Sequence, residues 1–250
     1  MAAPKRSQVL LHRCVGAVAR RLGRPELIGA LYRSVRRSEE DELAIRAVLA
    51  ATLHADDVYV DVGSNRGQLL KEALRVAPQG RHIAFEPIPQ LAAELAARFP
   101  ALDRRQLALG AQEGTASFCY FTKLDGWSGL ARNPEISDEA GAPEMIEVQV
   151  STLDAQLPEL APAVVKVDVE GAELAVLEGG RSLLQRAHPL LIFEHVRPAA
   201  ELYGASSERI WELLAEHGYR IFSATGSGPF ARADFARAGA VVNWLAVPAG

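Results

Sequence analysis

The amino-acid sequence predicts an α/β fold with a doubly wound, mostly parallel sheet that is covered by helices on both faces. Short β-branched runs alternate with amphipathic helical segments along most of the 250-residue chain, and this alternation is typical of parallel sheets. Four of the seven residues at positions 163–169 are valines, and a β-branched run is expected of a central strand buried on both faces. A turn-rich stretch at Gly226–Gly239 separates the last two strand candidates and favours an antiparallel pair at the sheet edge.

The predicted elements follow one another in the order that this fold requires. Apolar residues recur with helical spacing in the helix candidates, for example at Leu91, Leu95 and Phe99, and the strand candidates are short apolar runs. Helices are expected at Glu39–Leu53, Gln68–Val76, Gln90–Phe99, Ala172–Leu184 and about Ser207–His217, the last with Ser206 or Ser207 as its N-cap. Strands are expected at Val58–Val62, His82–Phe85, Leu107–Leu109, Thr115–Phe121, Met145–Val150, Val164–Val169, Leu190–Phe193, Tyr219–Ser223 and Ala240–Val247.

A polar loop that contains glycine and proline covers Lys123–Glu144. A loop of this length inside a compact domain is usually functional or mobile. We expect it, together with the N-terminal helices, to cover the site at which the substrate is bound. The sequence contains no convincing interdomain linker. Residues 54–250 are therefore predicted to form one domain, and residues 1–53 a basic helical extension or lid.

Charge and composition limit the partners of the chain. The formal net charge of -4 gives no global reason to expect nucleic-acid binding. Basic residues are concentrated in Met1–Arg37, which either contacts an anionic membrane surface peripherally or packs on the domain with a solvated basic face. The two cysteines, Cys14 and Cys119, show no zinc spacing, and no uninterrupted apolar stretch is long enough for a membrane span. The cytoplasm is the expected location.

The turn Asp61–Gly67 follows the first predicted strand, where doubly wound sheets bind their ligands. Gly63 permits backbone angles closed to other residues and lets a ligand approach the chain, and Gly67 allows the next helix to pack closely. Asn65 stands where a dinucleotide-binding turn carries its middle glycine. The carboxylate of Asp61 suits a cationic ligand, such as a sulfonium with an α-amino group, better than a pyrophosphate.

Glu86 and Pro87 close the second predicted strand. A carboxylate at this position can accept hydrogen bonds from ribose hydroxyls. A glycine turn alone is also compatible with a purely structural role, but the turn followed by Glu86 in this order favours a nucleoside site.

Acidic residues follow the next two parallel strands. Lys166 and Asp168 share a face of the strand by alternation, and charges in a β-branched central strand are costly unless they are paired or functional. Glu170 lies in the turn beyond them, and the following strand ends in Glu194 and His195. We expect Asp168, Glu170, Glu194 and His195 to converge around one cleft.

His195 is the predicted general base, oriented by Glu194 or Asp168, because its ordinary pKa lies near physiological pH. A capping or packing role for His195 is equally compatible with the sequence. A Mg²⁺ ion on Asp168 and Glu194 is conceivable without direct support, and the histidine spacing does not support zinc.

With these segments in view, the chain resembles the FkbM family of S-adenosylmethionine-dependent methyltransferases. The resemblance covers about Asp57 to Pro248 and is most particular in Val165–Glu173 (VKVDVEGAE). It also rests on Val60–Gly67, Phe85–Pro87, Leu107–Gly110 and Ser151–Asp154.

The resemblance implies a Rossmann-like sheet of seven strands with an antiparallel last strand. It implies that S-adenosylmethionine is bound, with S-adenosylhomocysteine as product, and that a hydroxyl of a sugar, glycolipid or natural product is methylated. The cofactor contacts that it implies are Asp61, Gly63, Ser64, Asn65 and Gly67, with Glu86 and Pro87 at the ribose, Leu109 near the adenine and Asp168 beside the methionine end.

Two alternatives stay open at this point. One is a nicotinamide-dependent oxidoreductase on the same fold, against which Asn65 and Asp61 argue. The other is a nucleoside-binding protein without catalytic activity, recruited to membranes by the basic N-terminus.

Overall fold

The computed structural model describes residues 26–121, 128–130, 144–239 and 241–249. Most of the predicted loop Lys123–Glu144 and residues 1–25 of the basic segment lie outside these ranges. The chain forms two compact units, Met1–Ala44 and Ile45–Gly250. Among the described residues, no helix has the length and apolar character that a membrane crossing requires.

The strands confirm most of the predicted strand positions. In chain order they are β1 (Tyr59–Val62), β2 (Ile83–Phe85), β3 (Asp103–Arg105), β4 (Ala108–Leu109), β5 (Gly114–Tyr120), β6 (Glu144–Ser151), β7 (Val164–Val167), β8 (Leu190–Glu194), β9 (Tyr219–Ser223) and β10 (Asn243–Pro248).

Seven of these strands form the main sheet in the order β3-β2-β1-β7-β8-β10-β9. The pairs from β3 through β8 are parallel, whereas β10 runs antiparallel to both β8 and β9. The predicted seven-stranded sheet with an antiparallel last strand is therefore confirmed. The strand order reverses between β1 and β7, and ligands of doubly wound sheets bind beyond the carboxyl ends of the strands at such a point.

The third strand of the main sheet corrects the prediction. The segment Leu107–Leu109 does not extend the main sheet, because β4 pairs with β6 in a separate three-stranded sheet of order β4-β6-β5. The edge of the main sheet is instead β3, whose residues Asp103, Arg104 and Arg105 are all charged. None of these three side chains is fully buried, so the strand needs no apolar alternation.

One helix that the sequence pattern predicts is divided into two helices in the structure. The helices are α1 (Glu26–Thr52), α2 (Gln68–Val76), α3 (Pro89–Arg98), α4 (Leu153–Gln156), α5 (Glu173–Glu178), α6 (Arg181–Ala187), α7 (Arg197–Glu201), α8 (Ser207–Glu216) and α9 (Arg232–Arg237). The predicted helix Ala172–Leu184 is two helices, because the chain breaks at Gly179 and Gly180 between α5 and α6. The Ser206 side chain caps α8, as predicted, by accepting a hydrogen bond from the Arg209 amide at 3.3 Å.

Side chains of the main sheet alternate between two cores. Val62, Phe85 and Val167 belong to one core, and Tyr59 and Val164 belong to the other. This alternation sends Asp61 and Lys166 to the same face as Tyr59 and Val164, in an otherwise apolar layer.

Candidate functional site

A cleft opens at the carboxyl edge of the main sheet, beside the reversal of strand order. It encloses about 680 Å³, part of which is open to solvent. Seven of the predicted site residues line it, namely Gly63, Asn65, Glu86, Pro87, Leu109, Asp168 and Glu170. The remaining wall includes the side chains of Phe85, Ile88, Phe118, Ser128 and Leu130.

The turn after β1 is held in shape by its own backbone amides. The amides of Gly63 and Ser64 both donate to the Phe85 carbonyl oxygen, at 3.0 and 3.1 Å. The Asn65 amide donates to Glu86 Oε2 at 2.8 Å, the Arg66 amide to Asn65 Oδ1 at 2.8 Å, and the Gly67 amide to the Ser64 carbonyl oxygen at 2.7 Å. Every amide from Gly63 to Gly67 therefore has an acceptor within the protein.

The glycines of this turn are required by its geometry. Gly63 has a φ of +75°, and a Cβ there would lie 1.8 Å from the Asp168 carbonyl oxygen. Gly67 has a φ of +67° at the start of α2, and a Cβ there would lie 2.7 Å from the Phe99 ring. The Ser64 hydroxyl donates to the Asp61 carbonyl oxygen at 2.8 Å. Ser64 and Gly67 therefore shape the turn but do not line the cleft.

Glu86 ties the first two strand ends together. Its Oε1 accepts from the Ile88 amide at 2.9 Å, while its Oε2 accepts from Asn65. Burial raises the pKa of Glu86 to about 7, although the amides of Ile88 and Asn65 oppose the shift. Each oxygen retains a lone pair that faces no amide, so the carboxylate can accept further hydrogen bonds.

Lys166 joins two carboxylates at the floor of the cleft. Its Nζ lies 3.1 Å from Asp168 Oδ2, 3.4 Å from Asp61 Oδ1 and 3.4 Å from the Gly63 carbonyl oxygen. Asp61 and Lys166 are register partners across β1 and β7. Burial lowers the pKa of Lys166, but the carboxylates of Asp168 and Asp61 outweigh it and raise that pKa overall.

The predicted cofactor contact of Asp61 is not supported by its position. The Asp61 side chain is only 1% exposed and lies below the cleft wall, with Lys166 as its counter-ion. Burial raises the pKa of Asp61, and the charge of Lys166 opposes the shift. Asp61 therefore supports the turn from below, and the carboxylates that face the cleft are Glu86, Asp168 and Glu170.

The segment after β7 is fixed by a buried carboxylate. Glu173 Oε1 accepts from the amides of Val169 and Gly171, at 3.2 and 3.0 Å. Burial raises the pKa of Glu173 to about 7, and the amide of Gly171 is the main opposing influence. Glu170, between the two tethered amides, has a φ of +56° and lines the cleft.

Glu194 lies behind Asp168. It ends β8, one position beyond the pair Val167 and Phe193 that joins β7 to β8, so it stands next to Asp168. It does not line the cleft. The pKa of Glu194 is raised to about 9, mainly by burial, with the charge of Asp168 acting in the same direction.

The prediction that His195 is the general base is not supported by its position. His195 is 5% exposed and does not line the cleft. Its Nε2 lies 2.8 Å from Ser207 Oγ, and its ring stacks on Phe235 with 5.5 Å between centroids. Burial lowers the pKa of His195 to about 4, opposed by the charge of Glu208. The side chain packs β8 against α8, which is the structural role that the sequence left open.

The acidic residues beside the cleft do not form a metal site in the part of the chain that the structure describes. Within the described ranges, no group of three or more histidine, cysteine, aspartate or glutamate side chains is arranged to hold a metal ion. Asp168 and Glu194 thus gain no third ligand for Mg²⁺ there.

The family of the chain follows from its sequence. The family model for the Methyltransferase FkbM domain matches residues 61–221, a segment that begins at Asp61 and contains the whole cleft segment after β7. The chain belongs to this family. The sheet order and the glycine turn are accordingly those of an S-adenosylmethionine-dependent, class I methyltransferase fold.

Individual relatives are more distant. Methyltransferase sdnD of Sordaria araneosa is 31% identical over 162 residues, which are 52% of this chain and 62% of that protein. The chain therefore spans less than two thirds of this relative. The FkbM methyltransferase of Methylobacillus flagellatus KT is similar at a TM-score of 0.48 and 16% identity, over 78% of this chain and 44% of that one. Fibrillarin of Aeropyrum pernix, solved with S-adenosyl-L-methionine bound, is similar at a TM-score of 0.43 and 11% identity, over 78% of this chain and 68% of that one.

One wall residue of this FkbM domain, Phe118 of β5 in the small sheet, was not predicted. Ser128 and Leu130, which also line the cleft, belong to the loop Lys123–Glu144 that was predicted to lie at the site, and Gly129 between them bridges to Cys119. The strands of that sheet were predicted, but nothing in their alternation indicates that the sheet folds back over the carboxyl edge.

Proposed function

We propose that the chain transfers the methyl group of S-adenosylmethionine to a hydroxyl group of a small acceptor. Membership of the FkbM family supports methyl transfer. The observation that favours this cofactor over a dinucleotide is the closed set of amide hydrogen bonds from Gly63 to Gly67. Dinucleotide sites offer free backbone amides to a pyrophosphate, and this turn has none left to offer.

The walls of the cleft fit an adenosine moiety. Phe85, Ile88 and Leu109 supply apolar surface, as nucleoside pockets require. Glu86 supplies carboxylate oxygens with free lone pairs for ribose hydroxyls. Asp168 supplies the carboxylate that a sulfonium cation favours. When bound, S-adenosylmethionine supplies a methyl group on a positively charged sulfur.

The carboxylates at the end of β7 support the proposal of a hydroxyl acceptor. A hydroxyl attacks efficiently only if a neighbouring group takes its proton, and carboxylates on the cleft wall can do so. The FkbM resemblance favours hydroxyls of sugars, glycolipids or natural products.

Isothermal titration with S-adenosylhomocysteine and with NADH tests the choice of cofactor. We expect the chain to bind S-adenosylhomocysteine at one site and to leave NADH unbound, because the turn has no amide left for a pyrophosphate. Binding of NADH in place of S-adenosylhomocysteine would favour the oxidoreductase alternative.

Methyl transfer itself is tested with methyl-labelled cofactor and candidate sugars, glycolipids and natural products, with and without Mg²⁺. Mass spectrometry should locate the label on an acceptor oxygen. Binding of S-adenosylhomocysteine without methylation of any acceptor would favour the nucleoside-binding alternative.

A further inference from the structure

The backbone of Glu170 is unusual among the described residues. Three non-glycine residues there have a positive φ, namely Asn65, Glu170 and His188. Asparagine tolerates this conformation, and His188 ends α6, where a left-handed residue is common. Glu170 has neither explanation. A glutamate in this region costs free energy that a glycine would avoid.

Two contacts hold the strained segment in place. Glu173 accepts the amides on either side of Glu170, at 3.2 Å from Val169 and 3.0 Å from Gly171. Gly171 has a φ of +108°, and a Cβ there would lie 2.6 Å from the Ala199 backbone. The Glu173 hydrogen bonds and the close approach of Gly171 to α7 therefore both constrain the backbone around Glu170.

The Glu170 side chain gains no partner from this position. It is half-buried on the cleft wall, and in the part of the chain that the structure describes its carboxylate has no hydrogen bond or ion pair. Lys166, the nearby cation, is already bound by Asp168 and Asp61. The other charges that act on Glu170 come from Asp168 and Glu173, which repel it.

We propose that Glu170 is the catalytic base of the methyl transfer. This inference rests on the proposed function. The acceptor oxygen forms a bond to the methyl carbon while its proton passes to the Glu170 carboxylate, which becomes a carboxylic acid. The bond from that carbon to sulfur breaks and its electron pair stays on sulfur, which becomes a neutral thioether. Glu170 then releases its proton to water.

The neighbouring groups are less suited to this role. Asp168 is bound by Lys166 at 3.1 Å, and Glu194 and His195 do not line the cleft. The pKa of Glu170 is raised to about 8, mainly by burial, with the charges of Asp168 and Glu173 acting in the same direction and that of Lys166 opposing them. A base whose pKa lies near the working pH transfers protons efficiently.

Two substitutions separate catalysis from backbone strain. Glu170→Gln removes the base and keeps the strain, whereas Glu170→Gly removes both. Both variants should bind S-adenosylhomocysteine as the unchanged protein does and should lose turnover by roughly 10²-fold or more with a mixed set of small alcohols and phenols as acceptors. Glu170→Gly should melt roughly 2–4 °C above Glu170→Gln, because only glycine relieves the positive φ. Glu201→Gln, at an exposed carboxylate on α7, is the matched control and should change none of these quantities.

A carboxyl titration gives a readout that needs no acceptor. In ¹³C spectra of the protein labelled at glutamate side chains, one resonance that titrates near pH 8 should vanish in Glu170→Gln and remain in Glu201→Gln. Unchanged turnover of Glu170→Gln with normal S-adenosylhomocysteine binding would overturn this inference alone, and so would equal melting temperatures of the two Glu170 variants. A chain that binds no S-adenosylhomocysteine would instead count against the proposed function.

Discussion

At the scale of single residues, the site depends on one cation shared by two carboxylates. Asp61 is almost completely buried, and its counter-charge is Lys166, at 3.4 Å. Removing one partner of a buried ion pair leaves an uncompensated charge, which destabilises a protein far more than replacing both partners. Lys166 also contacts the Gly63 carbonyl oxygen, so its loss would reach the cofactor turn.

We therefore expect Lys166→Met to lower the free energy of unfolding by about 3–5 kcal/mol, measured by urea denaturation at pH 7. Adding Asp61→Asn should restore part of the loss, because no buried charge then lacks a partner. Lys71→Met, at an exposed lysine of α2, is the control. A loss for Lys166→Met no larger than that of Lys71→Met would contradict the structural importance of the pair.

The sequence predicted which residues stand at the strand ends but not which way each one faces. Gly63, Glu86, Asp168 and Glu170 were placed correctly because the carboxyl ends of neighbouring parallel strands meet at one edge. His195 follows the same rule, yet its ring packs on Phe235 instead. Phe235 lies in α9, which is distant from β8 in the chain. The sequence around His195 therefore does not indicate this contact.

At the scale of elements, the sequence predicted those that carry a clear apolar period. Helix α2 and strand β9 have the predicted bounds. The charged strand β3 was missed, because its position depends on pairing with β2 and on contacts such as Arg105 over the Phe85 ring, at 5.6 Å from its centroid. The break between α5 and α6 was also missed, because the apolar period continues across Gly179 and Gly180.

Asp154, in the motif Ser151–Asp154, forms hydrogen bonds on both sides of the break between α5 and α6. Asp154 accepts the amides of Ser182 and Leu183, at 3.0 and 2.8 Å, in the first turn of α6. The Asp154 amide in turn donates to the Gly179 carbonyl oxygen at 2.9 Å. A segment distant in the chain therefore caps the second helix, and the break is part of the packing between α4 and α6.

Substituting the two glycines separately tests this packing. A Cβ on Gly179 would lie 2.1 Å from the Gly110 carbonyl oxygen, whereas one on Gly180 would meet the end of the Leu153 side chain at 2.8 Å. We expect Gly179→Ala to cost about 1–3 kcal/mol, despite the higher helix propensity of alanine, and Gly180→Ala to cost less because a side chain can move. Thermal denaturation of both variants measures the difference, and equal melting temperatures would contradict the close approach to Gly110.

At the scale of the whole molecule, the buried acids make stability depend on pH. Four glutamates have raised pKa values, mainly because they are buried: Glu86 and Glu173 at about 7, Glu170 at about 8 and Glu194 at about 9. In the unfolded chain the same groups ionise near their ordinary pKa of about 4.3. Between these values the folded protein binds more protons than the unfolded chain, so its stability falls as the pH rises.

Two buried histidines act in the opposite sense at lower pH. His82 Nδ1 accepts from the Tyr59 amide at 3.3 Å, and Nε2 donates to the Ala77 carbonyl oxygen at 2.8 Å, so the ring is neutral. Burial lowers the pKa of His82 and that of His195. Below about pH 6.5 the unfolded histidines take up protons that the folded ones do not, so stability falls as the pH falls through that range.

Above pH 6.5 the unfolded histidines become progressively neutral as well, so the four glutamates dominate the slope. We therefore expect the free energy of unfolding to decrease from pH 6.5 to pH 8, measured by urea denaturation at several pH values without ligand. Glu194→Gln should make the decrease smaller, because the group that holds its proton to the highest pH can no longer titrate. A free energy of unfolding that stays constant or rises over this interval would mean that the glutamates around the cleft are ionised in the folded protein. The same carboxyl groups would then be poor proton acceptors at neutral pH, because a base with an ordinary glutamate pKa has little driving force to take a hydroxyl proton.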